Sequence, residues 1–404
     1  MASHASTLSG LLSTIHSHSW LAVSLAVLAY LALVRHLRYR NLSWLQATFS
    51  QYLADPHSMD YKTAHRIIQL TLRHEFPFVY GFSLQWALVK SYGIANGTQL
   101  LVQTRRLTNE KVIGKRSEDT GIFLYELLIT GIDSERGLRA LSKMNWIHSR
   151  YGSKISNGDL IHTLALFVLE PQRWIEIYEW RPMSELEKVA VFVYWKEIGN
   201  RMGMQGLPQT LSELKTWTAK YEENEMVYSE NNAKCYKATV DLFLRDIPSG
   251  LRGPAGKIAD SFLEDYVRPT LGVAAPPAWA TRSVAIFFAC RKLLIRHCFL
   301  PRFSSAGRGV SETPSGRLQR KSWAFEPWYV EETIWVRFLK RLGLASERSP
   351  GSQYLNEGYL PEELGPLEFA TVSRSAVLQQ ASQMKSYAEK GGASGMGCPF
   401  AFAR

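Results

Sequence analysis

An uncharged, apolar N-terminal segment is the sequence feature that most constrains how this chain can fold. Residues 1–34 contain no Lys, Arg, Asp or Glu, and the run from Trp20 to Val34 is apolar except for Ser24. A basic cluster follows directly at residues 35–40 (RHLRYR). Fifteen helical residues span roughly 22 Å, which is less than the ~30 Å hydrocarbon core, but the uncharged residues upstream can lengthen the helix.

The placement of charge predicts a single-pass transmembrane anchor at residues 19–40, preceded by an N-terminal tail at residues 1–18. A cleaved signal peptide normally carries positive charge before its apolar run, whereas here the cations follow it. The positive-inside rule then places the C-terminal bulk of the chain in the cytosol. A long amphipathic N-terminal helix and a cleaved signal are the two alternatives.

The overall charge favours a membrane partner over nucleic acid. The chain has a formal net charge of +11, and residues 282–321 hold nine Lys or Arg against one acid, Glu312. This cluster lies beside an apolar segment, no nucleic-acid motif is present, and a membrane surface is therefore the expected partner. A solvated basic face is the alternative. The four cysteines form no zinc signature or disulfide framework, which indicates a reducing environment.

Helix signals dominate the rest of the chain and predict an all-α fold. Asp133 can cap a helix over residues 134–151, where Gly152 ends it. Ser184 and Glu187 form a capping box, and Thr210 opens a further helix. No strand–helix alternation recurs, so a parallel sheet is not expected. We predict one catalytic domain over residues 41–303.

Several segments are ambiguous or lie outside that domain. Residues 159–169 are expected to form a short buried helix stopped by Pro171, and residues 98–104 either a short strand or the start of a helix. Residues 283–300 are apolar on almost every face, which fits a buried helix or one that dips into a membrane. Beyond them, residues 304–390 are predicted to be a linker, Gly- and Ser-rich over 304–321, followed by a helical extension. A mobile tail is predicted at 391–404.

Common catalytic motifs are missing from the sequence. It contains no H-E-x-x-H zinc motif, no phosphate-binding G-x-x-x-x-G-K-[ST] loop and no G-x-S-x-G nucleophile elbow. Two histidines nevertheless stand in strongly apolar helical segments, His148 and His162. A buried imidazole needs a partner. Each is therefore either a core histidine satisfied by hydrogen bonds or an axial ligand to haem iron.

A polar trio upstream could act with such a histidine. Arg116, Asp119 and Thr120 are spaced i, i+3 and i+4, which places them on one face of a helix. On the surface they would form an ordinary ion pair. If they point inward, they place a cation, a carboxylate and a hydroxyl in a dry pocket, where they could bind and polarise dioxygen.

The order of several short motifs resembles the family of latex-clearing (rubber) oxygenases and fungal ER-bound oxygenases of the mpaB type. The resemblance covers roughly residues 60–300. The motifs that carry it are Arg116, Asp119 and Thr120; Asn145, His148, Arg150 and Gly152; Asp159 to Thr163; Glu170 and Pro171; Trp180 to Pro182; Glu185 and Glu187; and Gly203 and Met204.

The resemblance implies an all-α, globin-like core that holds haem b in an ER membrane-bound enzyme. It implies dioxygen as co-substrate and cleavage of a carbon–carbon double bond in the isoprenoid chain of a lipophilic, prenylated small molecule. The family's axial histidine follows its Arg and Thr after an interval that matches the 28 residues from Thr120 to His148. His148 is therefore the expected iron ligand, and His162 is the second choice.

The same resemblance assigns roles around the haem. Arg116 and Thr120 match the family's distal Arg and Thr. Asp119 stands where latex-clearing enzymes have a lysine, and it would act as an acceptor or base instead. Arg150 and Lys143 are candidates for pairing with a haem propionate, as is Arg139. A haem peroxidase or hydroxylase, and a non-enzymatic membrane-tethered lipid-binding protein, are the alternative functions. The sequence does not fix the oligomeric state.

Overall fold

The computed structural model describes residues 2–304, 309–346 and 348–390, with side chains described from residue 20 onward. The described residues are mostly helical, which confirms the predicted all-α fold. The tail at residues 391–404, predicted to be mobile, lies outside the described residues.

The bounds of the regular elements are as follows. The helices are α1 (Ala2–Arg38), α2 (Arg40–Thr48), α3 (Tyr61–Leu70), α4 (Pro77–Ser91), α5 (Ala95–Gln103), α6 (Glu110–Tyr125), α7 (Glu135–Ser149), α8 (Asn157–Tyr178), α9 (Glu185–Arg201), α10 (Leu211–Glu225), α11 (Glu230–Phe243), α12 (Ser249–Asp260), α13 (Val267–Thr270), α14 (Ala278–His297), α15 (Ile334–Arg341) and α16 (Arg374–Glu389). The strands are β1 (Val310–Glu312) and β2 (Leu318–Arg320).

The N-terminal apolar run forms the second half of α1 and stands out from the body. Its side chains from Trp20 to Leu33 are exposed, whereas Val34 is buried and Arg38 lies over the ring of Trp180. Within the described residues, the stretch Trp20–Thr48, which bends at Tyr39, is long and apolar enough to cross a membrane. The predicted anchor is thus a helix with an apolar surface that the rest of the chain does not cover.

The core is built on pairs of long helices that pack along each other. Helix α4 packs along α8, and α3 packs along α9, while α8 also contacts α9 and α10. Aromatic rings fill the α4–α8 contact, where Phe82, Trp86 and Trp174 pack with Phe262, which follows α12, at centroid distances of 5.3–6.2 Å. Such rings remove large apolar areas from water and stabilise the helix pair.

Helix α8 continues through Pro171, so the predicted stop at that residue is wrong. Proline removes one intrahelical hydrogen bond and usually costs about 3 kcal/mol inside a helix. The residues on both sides of Pro171 are buried between neighbouring helices, with Glu170 and Trp174 fully packed. Tertiary burial therefore outweighs the local cost, and the helix extends to Tyr178.

The predicted helix starts are largely confirmed. Ser184 and Glu187 form the expected capping box, and Thr210 caps α10 by accepting a hydrogen bond from the Glu213 N–H. At α7 the cap is Ser134, one residue after the predicted Asp133. Asp133 instead accepts a hydrogen bond from Arg201 at 2.7 Å, so its carboxylate serves tertiary packing.

The three ambiguous segments are resolved. Residues 98–103 belong to α5 and are helical. The expectation of a loop or linker over 304–321 is wrong in part, because β1 and β2 pair antiparallel there with Val310 opposite Arg320. Helix α14 is not fully buried: it contacts α1, α8 and α12 with one side and exposes the other. The C-terminal extension then packs on α7 through α16.

A buried ion network joins three parts of the helical body. Arg181 donates hydrogen bonds to Glu75 at 3.0 Å and to Glu187 at 2.7 Å, and all three side chains are buried. Glu187 also accepts from the Thr71 hydroxyl at 3.1 Å. Glu187, whose carboxylate caps α9, is thereby bonded to Thr71 at the end of α3. Through Arg181 it is also linked to Glu75 in the segment that follows α3.

Replacing Arg181 by Ala is expected to lower the free energy of unfolding by about 3–5 kcal/mol, because two buried carboxylates lose their cation. Lys237→Ala is the matched control, since it breaks an exposed pair with Asp241 and should change stability by less than about 1 kcal/mol. Urea denaturation of the detergent-solubilised full chain, followed by circular dichroism, measures both. Equal, small effects would contradict the buried network.

Candidate active site

A large internal cavity lies between the helical core and the C-terminal extension. Its volume is about 870 Å³, within the range of small-molecule and cofactor pockets. Helices α4 to α9 form most of the wall, and apolar side chains dominate it. The apolar lining includes Phe82, Leu101, Ile122, Phe167, Trp195 and Phe325. Polar side chains occupy the rest of the wall, and they include Arg116, Thr120, His148 and His162.

His148 is the first of these polar groups. It lies in the last turn of α7 and lines the cavity. Its Nδ1 atom is buried and has no hydrogen-bond partner within the described part of the chain. Burial, with a smaller effect of the Arg116 charge, lowers the pKa of His148 from 6.5 to about 4. The imidazole is therefore neutral at physiological pH, which is the form that ligates a metal.

Arg116 and Thr120 line the same cavity from α6. The Thr120 hydroxyl donates to the backbone carbonyl of Arg116 at 2.9 Å, which leaves its oxygen able to accept a hydrogen bond. The Arg116 guanidinium forms no hydrogen bond or ion pair with the described residues. A cation in an apolar cavity is stable only with a compensating partner, so Arg116 is suited to an anionic or strongly polarised group.

Asp119 does not share this face, so the predicted inward-facing trio is wrong at this position. Its carboxylate accepts hydrogen bonds from Lys115 at 2.6 Å, from the Tyr329 hydroxyl at 2.9 Å and from the Gly365 N–H at 3.1 Å. Burial raises its pKa, and these three donors oppose the shift. Asp119 therefore binds the C-terminal extension rather than the cavity contents.

His162 borders the cavity but already has a partner. Its Nε2 lies 3.1 Å from a carboxylate oxygen of Glu222, and the other oxygen of Glu222 accepts from Tyr266 at 2.7 Å. Lys90 lies 3.4 Å from Glu222 as well. The His162 imidazole is thus satisfied by an internal network, which matches the hydrogen-bonded core histidine and leaves His148 as the histidine without a partner.

The residues expected to meet haem propionates lie elsewhere. Lys143 is buried outside the cavity and donates to the Phe369 carbonyl at 2.7 Å and to Ser373 at 2.6 Å, and burial lowers its pKa to about 8. Arg150 is exposed and lies over the Trp146 ring. Arg139 pairs with the exposed Glu135 of α7 and with the buried Glu362 of the C-terminal extension. Lys154, which the sequence analysis did not single out, lines the cavity, and its side chain, like that of Arg116, forms no hydrogen bond or ion pair with the described residues.

The C-terminal extension completes the cavity wall, which the sequence analysis missed. Glu118 of α6 pairs with Arg320 and accepts the backbone N–H of Ala324 at 2.7 Å. This contact holds Trp323 and Phe325 against the cavity. The signal available in the sequence was the aromatic stretch WAFEPWY at residues 323–329, which is unusual for a linker.

The residues present fit a haem that His148 would hold. A neutral imidazole and a guanidinium, both without a partner among the described residues, face one largely apolar cavity of sufficient volume together with a hydroxyl. Iron accepts a neutral imidazole nitrogen as an axial ligand, and the apolar wall suits a porphyrin face. Asp119, Lys143 and Arg150 take no part in this arrangement.

The lowered pKa of His148 predicts a pH-dependent stability in haem-free protein. Between pH 6.5 and about 4 the unfolded chain binds a proton at this residue and the folded chain does not. Stability should therefore fall as pH drops through this window, by at most about 1.4 kcal/mol per pH unit. His148→Gln should remove that part of the slope, measured as Tm against pH. Superimposable slopes in wild type and variant would refute the assignment.

Comparison with known proteins places these residues in a family. Residues 125–294, which contain His148 and His162, match the catalytic domain described as ER-bound oxygenase mpaB/B'/rubber oxygenase. ER-bound oxygenase mpaB' of Penicillium brevicompactum is 28% identical over 394 residues, which cover 91% of this chain and 92% of the relative.

Two further relatives carry the same description. ER-bound oxygenase mpaB of Penicillium roqueforti is 31% identical over 264 residues, covering 61% of this chain and 88% of the relative. ER-bound oxygenase mpaB of Penicillium brevicompactum is 29% identical over 340 residues, covering 79% of this chain and 80% of the relative. The chain therefore belongs to the family of ER-bound mpaB oxygenases and rubber oxygenases, and its cavity is the candidate active site of an oxygenase.

Proposed function

We propose that this oxygenase is anchored in the ER membrane, depends on haem b and cleaves a carbon–carbon double bond in the prenyl chain of a lipophilic small molecule. The observation that carries the proposal is the unpartnered, neutral imidazole of His148 facing an apolar cavity that also holds the unpaired Arg116. A cavity of this composition is suited to a haem and an apolar substrate together.

His148 would hold the cofactor through its neutral imidazole. Lys154 is placed to meet a carboxylate at the rim of the cavity, which is the chemistry of a haem propionate. When bound, haem b supplies a redox-active iron that activates dioxygen. Met144 and Ile122 add apolar side chains to the same wall.

The apolar wall would hold the substrate. Each buried CH₂ group contributes about 0.8 kcal/mol of transfer free energy, so a prenyl chain of a few units gains substantial affinity from burial alone. Aromatic rings such as Phe167 and Phe325 offer flat apolar surface beside the chain. The wall is predominantly apolar, which favours an isoprenoid over a polar substrate.

The overall reaction consumes one dioxygen per double bond. The carbon–carbon double bond breaks, each of its two carbons gains one oxygen atom, and two carbonyl fragments form without a net proton change. Arg116 can donate hydrogen bonds to oxygen atoms that gain negative charge along this path, and Thr120 can orient them. Because Arg116 has no protein partner among the described residues, its donors are available for this role.

The haem assignment predicts a specific pattern of absorption spectra. Full-length protein, detergent-solubilised and supplied with haem, should show a Soret band that His148→Ala loses. His162→Ala should keep the band, because His162 is bonded to Glu222. A band lost only in His162→Ala would transfer the ligand role to that residue. A folded, haem-supplied wild type without any Soret band would overturn the haem proposal.

The role of Arg116 predicts a separate effect on turnover. Arg116→Leu should keep the Soret band and lower product formation about 10²-fold, the usual effect of removing one charge-stabilising donor. Arg150→Leu is the matched control, because that guanidinium is exposed and lies outside the cavity. Mass spectrometry of products from a prenylated phenol measures both. A single oxygenated product with an intact carbon skeleton would indicate hydroxylation instead of cleavage.

A further inference from the structure

Helix α14 and the segment after it carry an apolar surface that the described chain leaves exposed. The surface consists mainly of large apolar side chains that are exposed to solvent: Ile286, Phe287, Leu293, Leu294, Phe299 and Phe303. The opposite side of α14 packs into the body through Val284 and Phe288, which are buried. The helix is therefore firmly attached on one side and apolar on the other.

This surface is continuous with the anchor helix. The hydroxyl of Tyr30 on α1 donates to the carbonyl of Cys298 at 2.9 Å, and the Arg38 guanidinium donates to the carbonyl of Phe299. Arg40 lies over the Phe303 ring, with 5.1 Å between the guanidinium carbon and the ring centroid. Three contacts thus fix residues 298–303 against the end of α1.

These contacts also define how far along the anchor helix residues 298–303 lie. Tyr30 belongs to the apolar run of α1 and precedes Arg38 by eight residues, a rise of about 12 Å along the helix. Residue 298 contacts Tyr30 and residue 299 contacts Arg38, so both residues lie between the levels of these two side chains along α1. If the apolar run spans the bilayer, this position is just inside its basic edge, where interfacial helices bury their apolar faces about 5–10 Å.

The cations near this surface suit the same location. Lys292 and Arg296 have long side chains that can extend to the headgroups while their stems stay apolar. Arg291 is turned toward the body, where it donates to Glu179 at 2.8 Å. Basic residues at such a boundary gain energy from anionic lipid headgroups, about 1 kcal/mol each.

The cavity approaches the membrane side of the body at Phe78. This residue lines the cavity, is half-exposed and stacks on Phe82 with centroids 5.8 Å apart. The Arg291 guanidinium of α14 lies over its ring at 5.3 Å. The apolar surface of α14 and the Phe78 end of the cavity are therefore neighbours.

We propose that the exposed face of α14 and residues 298–303 form a second membrane-embedded element, beside the anchor, and that the cavity opens at Phe78 toward the lipid. The occupant of the surface is the acyl and headgroup boundary of a bilayer. The embedding of α14 is independent of the reaction, whereas entry of substrate from the lipid rests on the proposed function. A prenylated substrate would then reach the cavity without crossing water.

Site-specific fluorescence in vesicles tests this arrangement. Cys290, Cys298 and Cys398 are first replaced by Ser in the full chain, and the buried Cys235 is kept. Single cysteines are then placed at Leu294, Phe299 or Phe78, and at Val372 as control, since Val372 is also an exposed apolar residue and lies on the turn before α16. Each carries a polarity-sensitive NBD label. The vesicles contain phosphatidylcholine and phosphatidylserine, with nitroxide-bearing phosphatidylcholine as quencher.

Labels at positions 294, 299 and 78 should show blue-shifted emission and lose fluorescence to the nitroxide lipid, while the label at 372 should not. Emission and quenching at 294 and 299 equal to those at 372 would overturn the embedding of α14. Quenching at 294 and 299 without quenching at 78 would overturn lipid-side entry alone. No outcome depends on haem or turnover, so failure here is distinct from failure of the proposed function.

The wild-type chain offers a check that needs no substitution. The Cys298 thiol is exposed in the folded chain and lies at the α1 contact. In vesicles it should resist a charged, membrane-impermeant maleimide, and unfolding in detergent should make it reactive, as read by peptide mass spectrometry. Rapid modification of Cys298 in intact vesicles would contradict a lipid-covered position.

Discussion

The arrangement of the site depends on how α6 divides its charged side chains between two faces. Glu118 and Asp119 face the C-terminal extension, where they bind Arg320, the Ala324 N–H and Tyr329, and Asp119 also pairs with Lys115 of α6 itself. Buried carboxylates need such donors, and the extension supplies them. Arg116, on the neighbouring face, is left without a partner among the described residues and faces the cavity. The extension therefore fixes α6 in the orientation that exposes one cation to the apolar space.

The C-terminal extension both stabilises α6 and forms part of the cavity wall. Its aromatic segment lines the cavity through Trp323 and Phe325, so part of the cavity wall comes from outside the matched catalytic domain at residues 125–294. On the other side of the body, α14 joins the anchor helix near the Phe78 end of the cavity. The cavity therefore lies between the C-terminal extension, which holds α6 in place, and the exposed face of α14, which is suited to lipid. This position fits an enzyme for a lipophilic substrate.

Local patterns predicted much of this architecture. The capping signals at Ser184 and Thr210 were sufficient to predict where α9 and α10 begin, and the apolar run before Val34 was sufficient to predict the anchor helix. These features depend only on residues that are close in sequence. Pro171 and Asp119 were misjudged because tertiary contacts decide them. The spacing of Asp119 placed it near Arg116 on a helix, yet nothing in the spacing could show that Tyr329, more than 200 residues later, would bind it. His148 and His162 looked alike in sequence and differ only through Glu222, which the fold brings to one of them.

Chemical rescue of a cavity variant tests the central claim most directly. In His148→Gly, the space left by the imidazole can accept free imidazole, which would supply the missing axial nitrogen. The account predicts that haem-supplied His148→Gly has a weak or altered Soret band and that added imidazole restores the wild-type spectrum, whereas imidazole leaves His162→Gly unchanged. A wild-type spectrum in His148→Gly without imidazole would show that another residue ligates the iron, and would contradict the account.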